Sequence, residues 1–364
     1  MDKYDGDKYG KRFTCWNQLL ALMFGQLSYR ESLRDLVVAL EAHSKKLYHL
    51  GMGKNVSKTN LAKANQDRDY RIFEDFAFFM MKMAREKRQE DIFKLDGHVY
   101  AFDSTTLDLC MALFPWAKFR KTKSGVKVYL LYDIEAQIPA FFYITNASLH
   151  DSKAMCKIPY ESGFYYIFDR GHNSFKDLLA IVTSSAYFVV RAKKSLKFKP
   201  TKWKRRLSQN VMSDSEGTLT VYKSSKDYPV KIRKVEYWDE EQCRKFVFLT
   251  NAFHLSALQV ALLYKNRWQV ELFFKWIKQH LRIKKLWGTT ENAVRIQICA
   301  AIISFCLVAI VHHDMNLDRS IYETLQILSI SLTDKTPLRD LFDKTNFHNF
   351  KDHSTPNGQL IINF

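Results

Sequence analysis

The chain has 364 residues, 47% hydrophobic and 26% charged, a composition that builds a globular protein with a sizeable core and excludes a disordered one. A formal charge of +18 and a pI near 9.5 call for a polyanionic partner, nucleic acid ahead of an anionic membrane surface. Six cysteines, at 15, 110, 156, 243, 299 and 306, show neither CxxC spacing nor a matching His pair, which excludes a disulfide framework or structural zinc site and leaves free thiols in a reducing cytosol.

The N-terminus, Met1-Asp2-Lys3-Tyr4-Asp5, is polar and mixed in charge, unlike a signal peptide. Residues 1–95 read as an all-helical N-terminal domain. Ser28-Tyr29-Arg30-Glu31 has the form of a capping box opening a helix over 31–43, with Leu33, Leu36, Val37 and Leu40 on its apolar face. Ser57 caps a second helix whose first turns carry Lys58, Asn60, Lys63 and Asn65, and a third, rich in Phe and Met, spans about 69–88. A polar basic helix after a Gly-containing turn is compatible with DNA binding.

Near residue 98 the period becomes that of strands. The first runs over 98–103 and ends in Ser104-Thr105-Thr106. Strands over 127–135 and 138–146 follow as a hairpin. The fourth, 164–168, is wholly apolar, as the buried centre of a sheet requires, and leads into Asp169-Arg170-Gly171. A helix over 174–184 and a fifth strand over 186–191 complete the unit. From Lys193 to Arg206 there are eight Lys or Arg and no acid, interleaved with Phe198 and Trp203; short strands over 218–222, 230–238 and 245–249 then read as a β-rich basic insertion, 194–245. The run from Ile296 to Val311 is the most apolar, but is short for a membrane span and reads as a buried helix. Residues 313–364 form a mixed tail.

Tyr264 to Lys278 reads as part of one helix, free of Gly and Pro. At roughly 100° per residue, Tyr264, Arg267, Glu271, Lys275 and Lys278 fall within about 80° of one another. A carboxylate can hold a metal ion, and the cations and aromatic suit phosphate and base. Asp103 at the end of the first strand and Asp169 at the end of the fourth complete a set. Strands, helix, strand and further helices in this order describe a mixed α+β, RNase H-like core, 96–193 and 246–312, in which the first and fourth strands lie side by side and bring Asp103 and Asp169 to one crevice. A later helix lays Glu271 across it. Mg²⁺ takes oxygen ligands and keeps several waters. Two such ions, about 3.5–4 Å apart, can activate an attacking oxygen and stabilise a leaving one.

These residues carry a resemblance. Tyr264, Arg267, Glu271 and Lys278 reproduce, interval for interval, the Tyr-Arg-Glu-Lys signature of DDE-class insertion-sequence transposases of the family numbered four. Phe102-Asp103-Ser104-Thr105, Phe168-Asp169-Arg170-Gly171, the element order and the insertion before the Glu also resemble that family, and Tyr29–Asp35 and Leu61–Asn65 resemble a helical domain preceding the catalytic domain in one subgroup.

The resemblance implies a bacterial, cytoplasmic, nucleoid-associated enzyme that binds its element's terminal inverted repeats as a synaptic homodimer. It would cut both ends through hairpin intermediates and join them to target DNA. Asp103, Asp169 and Glu271 would hold two Mg²⁺ ions, with Mn²⁺ able to substitute. Tyr264, Arg267, Lys275 and Lys278 would hold phosphates of the cut end, and Trp238, with Trp203 its rival, would stack a flipped base. Trp268 and Trp276 are expected to anchor their helix to the core. The alternatives are an RNase H-like nuclease without strand transfer, or a domesticated, non-catalytic DNA-binding remnant.

Overall fold

The computed structural model describes residues 2–8, 13–52, 56–149, 153–281, 283 and 285–342. Four helices come first: α1 (Cys15–Leu27), α2 (Leu33–Ala42), α3 (Lys58–Asp67) and α4 (Arg71–Arg88). The start of the helix expected over 31–43 moves. Ser28 ends α1, its hydroxyl donating to the Phe24 carbonyl at 2.6 Å, and Tyr29 takes φ 56°. Ser32 is the cap of α2, accepting from the Asp35 N–H at 3.1 Å. Both serines have an acid three residues on, so the local sequence offered two starts. The first was already used in closing α1.

The sheet is built from β1 (Val99–Leu109), β2 (Lys118–Arg120), β3 (Lys123–Asp133), β4 (Ile138–Asn146), β5 (Tyr165–Phe168), β6 (Tyr187–Arg191), β7 (Phe198–Trp203), β8 (Val211–Leu219), β9 (Ile232–Asp239) and β10 (Arg244–Thr250). Its order is β2-β3-β1-β5-β6-β10-β9-β8-β7, with β4 also paired to β3. β1, β5 and β6 are mutually parallel and every other pairing is antiparallel. The insertion therefore extends the central sheet. Its outer strand β7 comes from the basic run, where no strand was expected. Pro200, which cannot donate to a ladder, is tolerated because β7 is an edge with a single partner.

Two faces follow from the alternation. On one, α5 (Phe175–Thr183) covers Tyr100, Phe102, Tyr166, Phe168, Phe188 and Val190, and the short α6 (Tyr222–Asp227) lies against α5 and β8. On the other lie α7 (Ala257–Asn266), α8 (Trp268–His280) and α9 (Glu291–Asp314), over Val99, Ala101, Tyr165, Ile167 and Val189. The N-terminal helices share this second core. Phe78 of α4 stacks on Phe142 of β4 with ring centroids 5.0 Å apart, and Arg85 bonds buried Asp133 at 3.1 Å. α9 is long and apolar enough to cross a membrane, yet 83% of its apolar window is buried inside the fold, as befits a helix apolar all round. α10 (Ile321–Ser331) and α11 (Leu338–Phe342) close the described chain.

Candidate active site

Phe102 of β1 pairs with Phe168 of parallel β5. Asp103 and Asp169 are therefore the next residues on neighbouring strands, which run about 4.8 Å apart. Both belong to the face covered by α7 and α8. Asp103 is not a strand end, as the sequence suggested: β1 continues to Leu109 along β3. Ser104-Thr105-Thr106 looked like a terminus because it is polar, but Thr suits a strand with one solvated face, and the true end at this level is that of β5.

The helix opposite is not continuous. The Arg267 N–H bonds the Tyr264 carbonyl and the Val270 N–H bonds the Arg267 carbonyl, both at three-residue spacing, so the ladder tightens at Arg267 and separates α7 from α8. Around this junction the Tyr264 hydroxyl donates to Asp169 Oδ1 at 3.0 Å. Arg267 Nη1 donates to Asp103 Oδ2 at 3.0 Å, and Nη2 donates to Glu271 Oε1. One guanidinium, with its side chain only 12% exposed, thus spans two of the three acids, while Glu271 is 56% exposed. Arg267 Nε is buried and has no hydrogen-bond partner among the described residues.

The charges differ within the set. Burial, reinforced by Glu271 and Asp169, pushes the Asp103 carboxyl above its ordinary range, against the Ser104 N–H and Arg267. Burial works the same way on Asp169, but the Arg170 N–H, the Arg267 charge and the Tyr264 hydroxyl outweigh it and hold that carboxyl low. Burial and the Asp169 charge push the Tyr264 phenol up to about 12, so it stays a donor at neutral pH.

The rest of the stripe divides. Lys278 Nζ donates to the Thr106 carbonyl at 3.3 Å, on the part of β1 beyond Asp103; Lys275 is exposed on α8. Trp238 is 40% exposed on β9. The adjacent Tyr237 lines a cleft of about 850 Å³ together with Asp169, Tyr264, Arg267 and Glu271, so strand alternation puts Trp238 on the opposite face from that cleft. Trp276 does anchor α8, packing edge-on against Phe305 at 4.9 Å. Trp268 does not: it is 50% exposed and lines the cleft, because the tightened junction at Arg267 leaves it at the mouth.

Arg191 and Arg244 were not foreseen. Their guanidiniums lie 4.8 and 4.4 Å from the Phe246 ring centroid, on the cleft wall beside Asp169. Arg191 was legible in principle: Tyr165 pairs with Tyr187 and Phe168 with Val190, so the same count places Arg191 beside Asp169.

The donors are all oxygens, with no His or Cys among them, the set a hard cation such as Mg²⁺ takes. Among the described residues no three acids, His or Cys are arranged to hold a metal ion as they stand, since Arg267 lies between Asp103 and Glu271. The donor type fits a hard divalent cation, and Glu271, 56% exposed, is the least confined of the three acids.

A family model described as Transposase DDE domain matches residues 94–307, and one described as a domain of unknown function matches residues 1–53. A putative transposase of Sinorhizobium fredii is 34% identical over 256 residues, 69% of this chain and 70% of that one. A probable transposase for an insertion sequence element of Geobacillus stearothermophilus is 31% identical over 205 residues, 56% of this chain and 54% of its own length. In fold, the piggyBac transposase in a synaptic complex with hairpin DNA aligns with TM-score 0.50 and 10% identity over 98% of this chain and 83% of its own. The DDE domain match covers more than half the chain and contains Asp103, Asp169 and Glu271, and the chain belongs to the DDE-domain transposases.

Proposed function

We propose that this enzyme mobilises a bacterial insertion sequence of the family numbered four, binding the element's terminal inverted repeats as a homodimer, cutting both ends through hairpins and joining them to target DNA. The observation that carries the reading is the convergence of Asp103 and Asp169, adjacent in register, with Glu271 from the helix above. As a DDE transposase the protein depends on divalent metal; we assign two Mg²⁺ ions, replaceable by Mn²⁺, to these three carboxylates. Bound there, they supply charge for the attacking and leaving oxygens of the phosphodiester.

The chain's own groups do the remaining work. Arg267 leaves its carboxylates for a phosphate, to which a guanidinium offers two parallel donors. Tyr264 orients Asp169 and follows Arg267 onto the backbone. Lys275 and Lys278 act as point charges farther along the cut end. Trp238 faces away from the cleft, so a base displaced by hairpin formation would reach it only around the end of β9; stacking there would offset an unstacking cost of a few kcal/mol. We divide the chain into a DNA-binding helical segment, 1–95, a catalytic core, 96–193 and 246–312, an insertion, 194–245, and a tail, 313–364, and place its action at the nucleoid in the cytoplasm.

The test is cleavage and joining of labelled element ends with Mg²⁺. Asp103→Ala, Asp169→Ala and Glu271→Ala are expected to lose cleavage and keep end binding. Nicking retained by any one variant removes that residue from the metal set. Hydrolysis without joined products would make the protein a nuclease. Trp238→Ala is expected to nick normally but not accumulate hairpins; a normal hairpin yield clears it of that role.

A further inference from the structure

The hairpin of β2 and β3 carries Lys118, Arg120, Lys121 and Lys123, all exposed. Lys127 follows, and no acid occurs from Lys118 to Tyr132. None of the first four is paired with a carboxylate among the described residues. A charge or two is enough to keep an edge strand from pairing with a neighbour; four unpaired cations on one short hairpin exceed that need.

Their position is set by register. β5 stops at Phe168 opposite Phe102, whereas β1 runs on with β3 until Leu109 meets Ser124, and β2 pairs at Ser124 and Lys123. Six residues at about 3.3 Å each carry this arm about 20 Å beyond Asp103. Gly125 lets the strands close: a Cβ there would stand 3.2 Å from the Leu107 carbonyl and the Phe119 ring. The arm is also tied down, because Lys278 reaches the Thr106 carbonyl and the Trp116 indole donates to the Thr289 carbonyl at 2.7 Å. It is a fixed wall beside the carboxylates.

The sheet order puts this wall on one side of β1 and β5, β6, β10 and the basic insertion on the other. A duplex laid over Asp103 and Asp169 would meet Arg191 and Arg244 of the cleft wall on one side, where the strands of the basic insertion continue the sheet, and the hairpin on the other. The insertion side, with the larger number of cations, suits the element end, which stays bound through the reaction.

We propose that the β2–β3 hairpin grips the phosphate backbone of the duplex flanking the element, on the far side of the scissile bond. About 20 Å corresponds to about six base pairs at 3.4 Å each. The proposal rests on the transposase reading of the carboxylate site and concerns only the uncut substrate.

The test compares full-length protein with a variant carrying Lys118→Gln, Arg120→Gln, Lys121→Gln and Lys123→Gln, on two DNAs: an element end continuing into twelve base pairs of flank, and the same end already cut. On the continuous duplex the variant is expected to bind at least tenfold more weakly. Its salt slope should be shallower by about 0.9 per lost phosphate contact, so by about 2 to 4 in all. Hydroxyl-radical protection about six base pairs into the flank should disappear. On the pre-cut end both proteins should bind alike and join the end to target equally well. Equal loss on both DNAs would put the hairpin on the element side, a defect confined to joining would assign it to target DNA, and no change on either would leave it an edge guard; each overturns the proposal. Normal joining of pre-cut ends by the variant shows that it is folded and that the carboxylate site works, so failure of the flank contact is separable from failure of the active-site reading.

Discussion

Arg233 is fully buried and makes four hydrogen bonds. Nε and Nη2 grip the Asp214 carboxylate side by side, both at 2.8 Å, and Nη1 donates to the carbonyls of Ala252 and Leu255 at 3.0 and 2.7 Å. The last two hold the turn that leads into the Ser256 cap of α7, and α7 delivers Tyr264 and Arg267. Arg233→Met strands a carboxylate that is 3% exposed and leaves two carbonyls unpaired. Breaking a buried pair from one side costs about 3–5 kcal/mol. Lys204, 3.4 Å from Asp214 Oδ2, keeps the cost toward the lower figure. Adding Asp214→Leu removes the stranded charge but not the open carbonyls, so the double variant should recover about half, leaving about 2 kcal/mol. The pair also sets an acid limit. Burial opposes the Asp214 charge, but bonds to Arg233 and the nearby Lys204 outweigh it and hold the carboxyl below its ordinary value. A depressed carboxylate contributes stability that is full above the unfolded value, about 3.9, and is lost as pH falls through the folded one. That acid loss should be present in the wild type and absent in the double variant. Urea unfolding at pH 7 and over pH 2 to 5 reads all three quantities. A single-variant cost below about 1 kcal/mol, or a double variant less stable than the single, would refute the argument.

Arg267→Gln removes the cation lying between Asp103 and Glu271, so Mn²⁺ should bind the DNA-free protein more tightly, by about tenfold or more, while end cleavage falls; Mn²⁺ titration followed by electron paramagnetic resonance reads the first effect, and unchanged binding would show that Arg267 does not obstruct the carboxylates. Tyr264→Phe deletes one charged hydrogen bond to Asp169 while keeping the ring, whose centroid lies 4.8 Å from Phe248; stability should fall by no more than about 3 kcal/mol, and the cleavage rate should fall about tenfold. Trp276→Ala should cost about 3 kcal/mol and Trp268→Ala less than about 1, measured by urea unfolding; equal costs would contradict the difference in packing between the two indoles.

What could be read from the residues and what could not divide along a physical line. Strand period and apolar runs located the start of β1, and β4, β5, β6 and α5 to within a residue or two at each end, because a buried strand leaves its alternation in the sequence whatever it packs against. That these side chains meet was legible for the same reason: Asp103 and Asp169 each follow an apolar strand core, and Tyr264, Arg267 and Glu271 share a helical stripe. The misses all depend on what lies across space. Ser28 and Ser32 offer the same cap, and only the closing of α1 chooses between them. β1 outruns β5 because β3 is there to pair with it, and nothing within 98–109 announces a partner at 123–133. Lys199 and Pro200 read as loop until β8 supplies a ladder for β7. Most telling is Arg267. Its spacing named it as a phosphate ligand, yet in the folded chain it holds Asp103 and Glu271. Both readings follow from one property, since a guanidinium binds any pair of anionic oxygens presented to its fork. In the folded chain the protein's own carboxylates occupy that fork; in the proposed mechanism a DNA phosphate would replace them and leave the acids open to metal. By linkage, such an exchange would have to work in both directions: metal at the three carboxylates would favour Arg267 on the DNA backbone, and DNA on Arg267 would favour metal at the carboxylates.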